Sequence, residues 1–312
     1  MTLTKTTTLG IALAVITGAL WGLVFLAPAL AGAFPPSLLV AGRYIAYGLL
    51  AAPLLLFRFK HILPHLILRN LAIAFGLSIA GNTLYFLLLA NAILMAGVPL
   101  STLIIGFIPV TVALVGSFRE GAVSLRQLWP ALALGCGAIA CITIDAMLKG
   151  ETAVAYAPVT GLFLAIAALV SWTIFAVGNS FYLNSHTAMS AQDWNLILGV
   201  VTGLQGLMVL PIALQAGVLP SEAEVWINLL LVCAALALFA SLIANALWNH
   251  VTRLLPLTLI GPMVLFETLF ALLYGFLWEQ RFPNTLEMAA IILMLVSVAL
   301  SVLAHRPGKA HA

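Results

Sequence analysis

Long stretches without a single charged residue constrain this chain more than any other feature of its sequence. No Asp, Glu, Lys or Arg occurs in residues 6–42, 70–118, 152–192, 194–221 and 225–252. Only 7% of the 312 residues are charged, against about 25% in an ordinary soluble domain. Because so few ions cannot coat a surface that faces water, we expect lipid to be the solvent for most of the molecule.

These stretches are long enough to hold ten membrane-spanning helices. A helix needs about 20 residues to cross the hydrocarbon core, so we divide the longer stretches at their proline, glycine and polar residues. The predicted spans are residues 9–30, 36–57, 68–91, 97–118, 129–147, 157–182, 192–215, 226–252, 256–277 and 284–304. A cleaved signal peptide is the less favoured interpretation of the first span, since its apolar run exceeds a typical signal sequence.

Basic residues in the short loops predict the orientation. With the N-terminus inside, the cytoplasmic loops hold Lys5, Arg58, Lys60, Arg69, Arg119, Arg126, Arg253, Arg306 and Lys309, and the opposite side holds Lys149 and Arg281. This imbalance follows the positive-inside rule. It predicts a multi-pass protein of the inner (plasma) membrane with both termini in the cytoplasm.

An internal repeat relates the two halves of the chain. Residues 78–85 (SIAGNTLY) align without gaps with residues 241–248 (SLIANALW). Residues 109–120 likewise match residues 268–279, and both segments end in an acidic residue. Self-similarity of this kind indicates a repeated structural unit.

The repeat predicts a fold of inverted halves. Five spans in each half are an odd number, so the second half enters the membrane from the opposite side, which places Glu120 inside and Glu279 outside. The predicted fold class is an all-α integral membrane protein with ten transmembrane helices in two inverted five-helix repeats. The repeats are residues 1–150 and 151–312, joined at the polar seam 149–152 into one membrane domain. Secondary transporters use such repeats to alternate between inward-open and outward-open states.

The motif in the first half resembles a known family. Residues 109–120 (PVTVALVGSFRE), followed by Gly135-Cys136-Gly137-Ala138, are similar to the repeat motif of the drug/metabolite transporter superfamily, EamA type. Both halves show it, and the resemblance covers nearly the whole chain. Length, ten spans and a Trp in the first helix are most similar to the YddG-like aromatic amino acid exporters. The resemblance implies that helices one to four and six to nine enclose the path. This chain has Glu267-Thr268 where family members often carry Glu-Pro.

A polar stripe recurs in the two aligned segments. Positions i, i+4 and i+7 lie on one face of a helix and near the bilayer centre, where inverted-repeat carriers bind substrate. The stripes are Ser78, Asn82 and Tyr85 in the third span, and Ser241, Asn245 and Trp248 in the eighth. We predict that they line a substrate cavity. Hydrogen bonding that merely holds helices together is the alternative.

Two ionisable residues lie deep inside predicted spans, Arg43 in the second and Glu267 in the ninth. An ion at that depth costs several kcal/mol unless it is paired or hydrated, so each should face a cavity or a partner. We predict that one of them binds a substrate carboxylate or carries a coupling proton. A mutual structural ion pair is the alternative, as is a snorkelling Arg43.

Aromatic residues also occur within spans rather than at the interfaces where Trp and Tyr collect. Trp21, Trp172, Tyr85 and Trp248 are predicted to wall a cavity that stacks on an apolar side chain and attracts an ammonium group. Packing against lipid is the alternative. Asn179 is a weaker cavity candidate. Trp129, Trp194, Trp226 and Trp278 lie near helix ends and are expected to be interface anchors.

Pro109 is the predicted hinge, because it interrupts the fourth span and a proline releases a backbone carbonyl from the helix ladder. The fifth and tenth spans contain mostly small or apolar residues and are expected to be peripheral.

These features favour a secondary carrier that exports amino acids, aromatic or otherwise apolar, and related small metabolites by alternating access. A passive channel or facilitator, or a drug or nucleotide-sugar type of carrier, is the alternative. No Walker A, HExxH or GxSxG sequence occurs, so neither ATP-driven transport nor intramembrane catalysis is expected. We expect no cofactor, metal or nucleic acid, a small-molecule substrate, protons as a candidate coupling ion, and a monomer or weak homodimer in the bilayer.

Overall fold

Helices account for the regular structure of the part of the chain that the computed structural model describes, which is residues 5–27, 30, 34–96, 101, 104–118, 122–148, 157–215 and 219–305. Ten main helices lie in these residues. They are α1 (Lys5–Gly22), α2 (Pro36–Phe57), α3 (Leu68–Ser78, Ile79–Thr83 and Leu84–Ala96), α4 (Ile108–Ser117), α5 (Leu125–Leu148), α6 (Pro158–Ser185), α7 (Ala191–Leu214), α8 (Ala223–Leu236, Ala237–Ile243 and Ala244–Leu254), α9 (Leu257–Met263 and Leu265–Glu279) and α10 (Thr285–Ala304).

Eight of these helices are long and apolar enough to cross a membrane, namely α2, α3 and α5 to α10. The described part of α4 is apolar but short, and residues 97–100, 102 and 103 of the predicted fourth span lie outside the described residues. The α1 helix is not among the eight. The regular structure of the described residues is therefore all-helical, with eight candidate spans, which is consistent with the predicted integral membrane protein, and the count of ten spans stays a prediction. The predicted seam and Glu120 also lie outside the described residues.

Local sequence signals set several helix starts. Asn284 and Glu287 form a capping box at the start of α10: the Asn284 side chain accepts hydrogen bonds from the Leu286 and Glu287 backbones, and the Glu287 carboxylate accepts from the Asn284 backbone. At the start of α7 the Ser190 hydroxyl accepts from the Asp193 backbone at 2.9 Å. These caps satisfy backbone donors that a helix end otherwise leaves free.

The helices pack in a regular pattern. The α2 helix lies along α7, α4 lies on α9, and α5 lies on α10. In addition α1 packs on α8 and α9, while α6 packs on α3 and α4. These contacts are symmetric between the two halves of the chain. Each of the first five helices corresponds to the helix five places later, so the contact of α1 with α8 corresponds to that of α6 with α3, and the contact of α1 with α9 corresponds to that of α6 with α4.

The α2 and α7 helices approach so closely that only glycine fits between them. A Cβ atom added at Gly203 would lie 2.5 Å from the Cα atom of Gly48. Small residues let helix backbones meet in this way inside a membrane, where apolar burial alone gives little attraction between helices. This contact fixes the part of α2 that carries Arg43 and Tyr44.

Three helices are irregular near their middle. Residues Ile79–Thr83 of α3 and Ala237–Ile243 of α8 are π-helical. The α9 helix is broken at Val264, just after Pro262, and Glu267 lies in the first turn of its second part. Such interruptions are frequent at functional sites. The hinge candidate Pro109 lies in the first turn of α4, directly after a turn at residues 106 and 107.

Polar contacts gather at the two ends of the helix bundle. At one end Arg58 forms an ion pair with Asp193 at 2.5 Å, and Arg253 donates to the backbone oxygens of Met189 and His186. At the other end Arg281 pairs with Glu287 at 2.7 Å, and Asn284 donates to Asp145 at 2.6 Å. The predicted cytoplasmic residues Arg58 and Arg253 thus lie at the same end, and the orientation of the termini stays a prediction.

Candidate functional site

The four aromatic residues singled out in the sequence meet in one cluster. Trp172 and Trp248 are buried in it, at 8% and 2% exposure, and Trp21 and Tyr85 are partly buried against it. The ring centroids of Trp21 and Trp248 are 4.9 Å apart. The cluster therefore joins α1, α3, α6 and α8, which come from both halves of the chain.

Arg43 lies beside this cluster and is held in place by α8. Its Nε atom donates to the hydroxyl of Ser241 at 3.0 Å. Its guanidinium carbon lies 5.7 Å from the ring centroids of both Tyr44 and Phe86, within the range of a cation–π interaction. Arg43 is 9% exposed. Among the described residues its two Nη atoms have no hydrogen-bond partner.

Asn245, one helical turn beyond Ser241, contacts α1. Its side-chain oxygen accepts a hydrogen bond from the Trp21 indole at 3.3 Å, and the same indole donates to the Ala240 carbonyl at 3.0 Å. The Ala240 carbonyl belongs to the π-helical segment of α8. In α3 another π-helical carbonyl, that of Ala80, accepts from the Ser171 hydroxyl of α6 at 2.8 Å.

Glu267 lies within Coulombic range of Arg43 without pairing with it. Among the described residues its carboxylate has no hydrogen-bond partner, and no nitrogen of Arg43 comes within the 4.0 Å of an ion pair. The two side chains are close enough for a Coulombic interaction, and so are Glu267 and Tyr85. Glu267 is half-buried, and its backbone lies against Gly18 of α1, where an added Cβ atom would come within 2.9 Å of the Glu267 nitrogen.

The other part of the α3 stripe contacts α7 instead. Ser78 lies 2.5 Å from the Thr202 hydroxyl and donates to the Gln205 side-chain oxygen at 3.1 Å. Asn82 donates to Thr202 at 3.3 Å, and Thr83 donates to Gln205 at 2.7 Å. Ser78 directly precedes the π-helical segment, and Asn82 and Thr83 lie within it. Ser78 and Asn82 therefore lie in a polar contact between helices, whereas Tyr85, beyond the segment, lies in the aromatic cluster.

Asn179 belongs to a buried network near the end where Arg58 lies. Its side chain donates to Asn249 at 2.9 Å and accepts from the indole of Trp194 at 2.8 Å. Trp194 is 0% exposed and stacks on Tyr182. The prediction of Trp194 as an interface anchor is therefore wrong, because its indole has a buried hydrogen-bond partner rather than the membrane surface.

Sequence reasoning did not identify several residues of this region. Tyr44 and Phe86 flank Arg43, and Thr202 and Gln205 face α3. The spacing of Thr202 and Gln205, two polar residues three apart within an apolar span, was an available signal of a polar helix face. Tyr44 carried the same signal as Tyr85, a tyrosine within a predicted span, whereas Phe86 carried none, since phenylalanine is common throughout membrane helices.

Comparison with known proteins assigns the family. The family model described as "EamA-like transporter family" matches residues 159–303. The chain is 32% identical over 323 aligned residues to "Inner membrane protein YtfF" of Escherichia coli (strain K12), with 96% of each chain covered. A solved crystal structure has the same fold, with a TM-score of 0.76 and 18% identity over 97% of this chain and 98% of the other.

The family resemblance drawn from the sequence motif is confirmed by these matches, whereas the finer likeness to the YddG-like exporters stays a prediction. At 32% identity over nearly the full length of both proteins, the likeness extends to both halves of the chain. This chain belongs to the EamA-like transporter family of the drug/metabolite transporter superfamily.

Proposed function

We propose that the protein is a secondary carrier of the inner membrane that exports amino acids, aromatic or otherwise apolar, and related small metabolites by alternating access. Its family is one of transporters, and its E. coli relative is named an inner membrane protein. The proposal includes ten spans, two inverted repeats at residues 1–150 and 151–312, and cytoplasmic termini.

The observation that carries this proposal is the exchange pattern of the helix contacts. The contacts α2–α7, α4–α9 and α5–α10 each pair a helix with its counterpart five places later, and α1–α8 corresponds to α6–α3. Such a pattern is expected of two similar halves packed around a pseudo-two-fold axis. Halves of this kind can exchange conformations, which turns a cavity from one side of the membrane to the other.

The composition of the site supports the substrate class. Rings from α1, α3, α6 and α8 form one aromatic cluster beside Arg43 and Glu267. Apolar side chains are expected to stack on such rings, and polar groups of a metabolite can bind the charges. The proposed substrate-binding residues are Trp21, Arg43, Ser78, Asn82, Tyr85, Trp172, Asn179, Ser241, Asn245, Trp248 and Glu267, and Pro109 is the proposed hinge.

Transport by the purified protein in liposomes tests the proposal. Labelled L-amino acids are offered one at a time, outside liposomes that are either empty or loaded with the same unlabelled amino acid. A carrier is expected to take up label faster into loaded liposomes, because its return step is faster with substrate bound. Equal uptake into both at rates far above a carrier's would favour a channel. Uptake of drugs or nucleotide sugars but of no amino acid would contradict the proposed substrate class.

The same liposomes test whether a proton is coupled to transport through Glu267. Uptake by the wild type is expected to change with an imposed pH gradient, and uptake by Glu267→Gln is expected not to. The exposed Glu224→Gln is the matched control and should behave as the wild type. A Glu267→Gln protein with the same response to the gradient as the wild type would exclude the proton role.

A further inference from the structure

The arrangement of Arg43 and Glu267 points to a substrate that carries both charges itself. This inference rests on the proposed function and makes its substrate class more specific. We propose that a zwitterionic α-amino acid binds with its carboxylate on the Nη atoms of Arg43 and its ammonium group on the carboxylate of Glu267, both at the same time.

Arg43 is oriented to receive an anion. The hydrogen bond from its Nε atom to Ser241 and the rings of Tyr44 and Phe86 fix the plane of the guanidinium. The two Nη atoms remain without a hydrogen-bond partner among the described residues, although the side chain is only 9% exposed. A guanidinium binds a carboxylate through two parallel hydrogen bonds, so a planar anion is the ligand that fits these two Nη atoms.

Glu267 is oriented to receive a cation. It lies in the first turn of the second part of α9, where the helix dipole favours the charged carboxylate. Within the described part of the chain, no hydrogen bond is made to its carboxylate oxygens and no basic group pairs with it. Tyr85 is within Coulombic range of Glu267, and its ring can add cation–π attraction for an ammonium group.

The two charges do not neutralise each other by direct contact, although each is within Coulombic range of the other. An unpaired ion at this depth costs several kcal/mol. A ligand with one charge satisfies one of the two groups and leaves the other unpaired. A zwitterion satisfies both, and it adds no net charge to the site.

The aromatic cluster narrows the class further. Trp21, Trp172 and Trp248 lie in the same cluster as Tyr85, and these rings are the surroundings offered to the substrate's side chain. A charged side chain would be desolvated there without a partner. The site therefore fits neutral amino acids with apolar side chains better than acidic or basic ones.

Analogues that lack one charge test the proposal in liposomes that contain the full-length protein. The probe is labelled L-phenylalanine, and the competitors are unlabelled L-phenylalanine, phenethylamine, which lacks the carboxylate, and 3-phenylpropanoate, which lacks the ammonium group. If L-leucine enters faster, it replaces L-phenylalanine, with isoamylamine and 4-methylpentanoate as competitors. In the wild type the amino acid is expected to compete at least 10-fold better than either analogue, since a charge-assisted hydrogen bond contributes about 1.5–3 kcal/mol.

Two variants assign each charge to its residue. In Arg43→Met the unlabelled amino acid should compete no better than the amine, and in Glu267→Gln it should compete no better than the acid. The controls Arg126→Met and Glu224→Gln change exposed charges elsewhere and should keep both advantages. If Arg43→Met does not fold, Arg43→Lys and the wild-type comparison decide instead: Arg43→Lys keeps the charge but not the paired geometry, and should weaken competition by the acid more than by the amine.

The outcomes separate this inference from the proposed function. Uptake of an amino acid with which both analogues compete equally well would overturn the zwitterion site and leave the carrier proposal standing. Loss of both advantages in either single variant would also overturn the assignment of one charge to each residue. Liposomes that take up no amino acid would overturn the proposed substrate class, and the zwitterion site with it.

Discussion

Gln205, together with Thr202, joins α7 to the polar part of α3. Its side-chain oxygen accepts from Ser78 at 3.1 Å and from Thr83 at 2.7 Å, and its amide donates to the Phe75 carbonyl at 3.1 Å. It is 3% exposed. Every hydrogen-bonding atom of this side chain is therefore used inside the bundle, beside the π-helical segment of α3.

Replacing Gln205 by Ala is expected to destabilise the protein by about 1–2 kcal/mol, because the buried Thr83 hydroxyl loses its acceptor and the Ser78 hydroxyl and the Phe75 carbonyl each lose one of their partners. The measurement is thermal unfolding in detergent, followed by tryptophan fluorescence. The exposed Gln127→Ala is the control and should leave the unfolding temperature unchanged. An equally stable Gln205→Ala protein would show that α3 does not depend on this contact.

His305 gives the folded state a dependence on pH. It lies at the end of α10, with Nε2 2.7 Å from the Thr258 hydroxyl and Nδ1 2.7 Å from the Ser301 carbonyl. Burial lowers the pKa of His305 below its ordinary value, and the hydrogen bond to Ser301 opposes this only in part. The neutral ring is thus favoured by folding, so its contribution to stability is present above the ordinary pKa and is lost as the pH falls through the folded pKa.

The unfolding temperature of the wild type is therefore expected to fall between neutral and mildly acidic pH more steeply than that of His305→Gln. Glutamine can still donate to Ser301 but does not titrate in this range. Exposed His61→Gln is the control and should retain the wild-type slope. Parallel curves for His305→Gln and the wild type would contradict the assignment.

At this scale the sequence predicted which residues are unusual better than which residues they touch. Trp21, Tyr85, Trp172 and Trp248 were recognisable as rings away from the interfaces, and they do form one cluster. The partners of Ser78 could not be predicted, because a single helix face does not specify which helix opposes it. Trp194 was misjudged because closeness to a helix end says nothing about burial by a neighbouring helix.

Among the helices, the closest approach is the contact of α2 with α7 through Gly48 and Gly203. Gly203→Ala is expected to lower the unfolding temperature and to reduce transport, because the added methyl group must push apart two backbones that fix the position of Arg43. The control is Gly76→Ala in α3, where an added Cβ atom meets nothing within 4 Å. That variant should be unchanged or more stable by about 0.5–1 kcal/mol. A neutral Gly203→Ala would contradict the close approach.

The positions of the helices along the chain could be predicted from the apolar runs, whereas the irregular segments within the helices could not. The predicted span 36–57 coincides with Pro36–Phe57, and the predicted span 284–304 begins one residue before Thr285–Ala304. The π-helical segments of α3 and α8 have no proline and only Gly81 as an unusual residue. Hydrophobic periodicity cannot reveal one extra residue in a helix that is apolar on most sides, so the sequence does not predict these segments.

For the molecule as a whole, the inverted arrangement makes a prediction about compartments. Ser124, just before α5, should face the cytoplasm, and Gln280, just after α9, should face the opposite side. Both are exposed. Single cysteines at these positions, in a background with Cys136, Cys141 and Cys233 replaced by alanine, are labelled by an impermeant maleimide in right-side-out and inside-out vesicles. Each should react in one vesicle type, and the types should differ. Labelling of both from the same side would contradict two inverted five-helix repeats.

Each π-helical segment, Ile79–Thr83 in α3 and Ala237–Ile243 in α8, also determines the direction in which the side chains after it point. One inserted residue rotates the remainder of a helix by about a quarter of a revolution or slightly more, since an α-helix has 3.6 residues per turn. The remainder of α3 carries Tyr85 and Phe86, and that of α8 carries Asn245 and Trp248. Deleting a single amino acid from either π-helical segment would therefore rotate the following side chains away from the aromatic cluster, although the composition of the helix would hardly change.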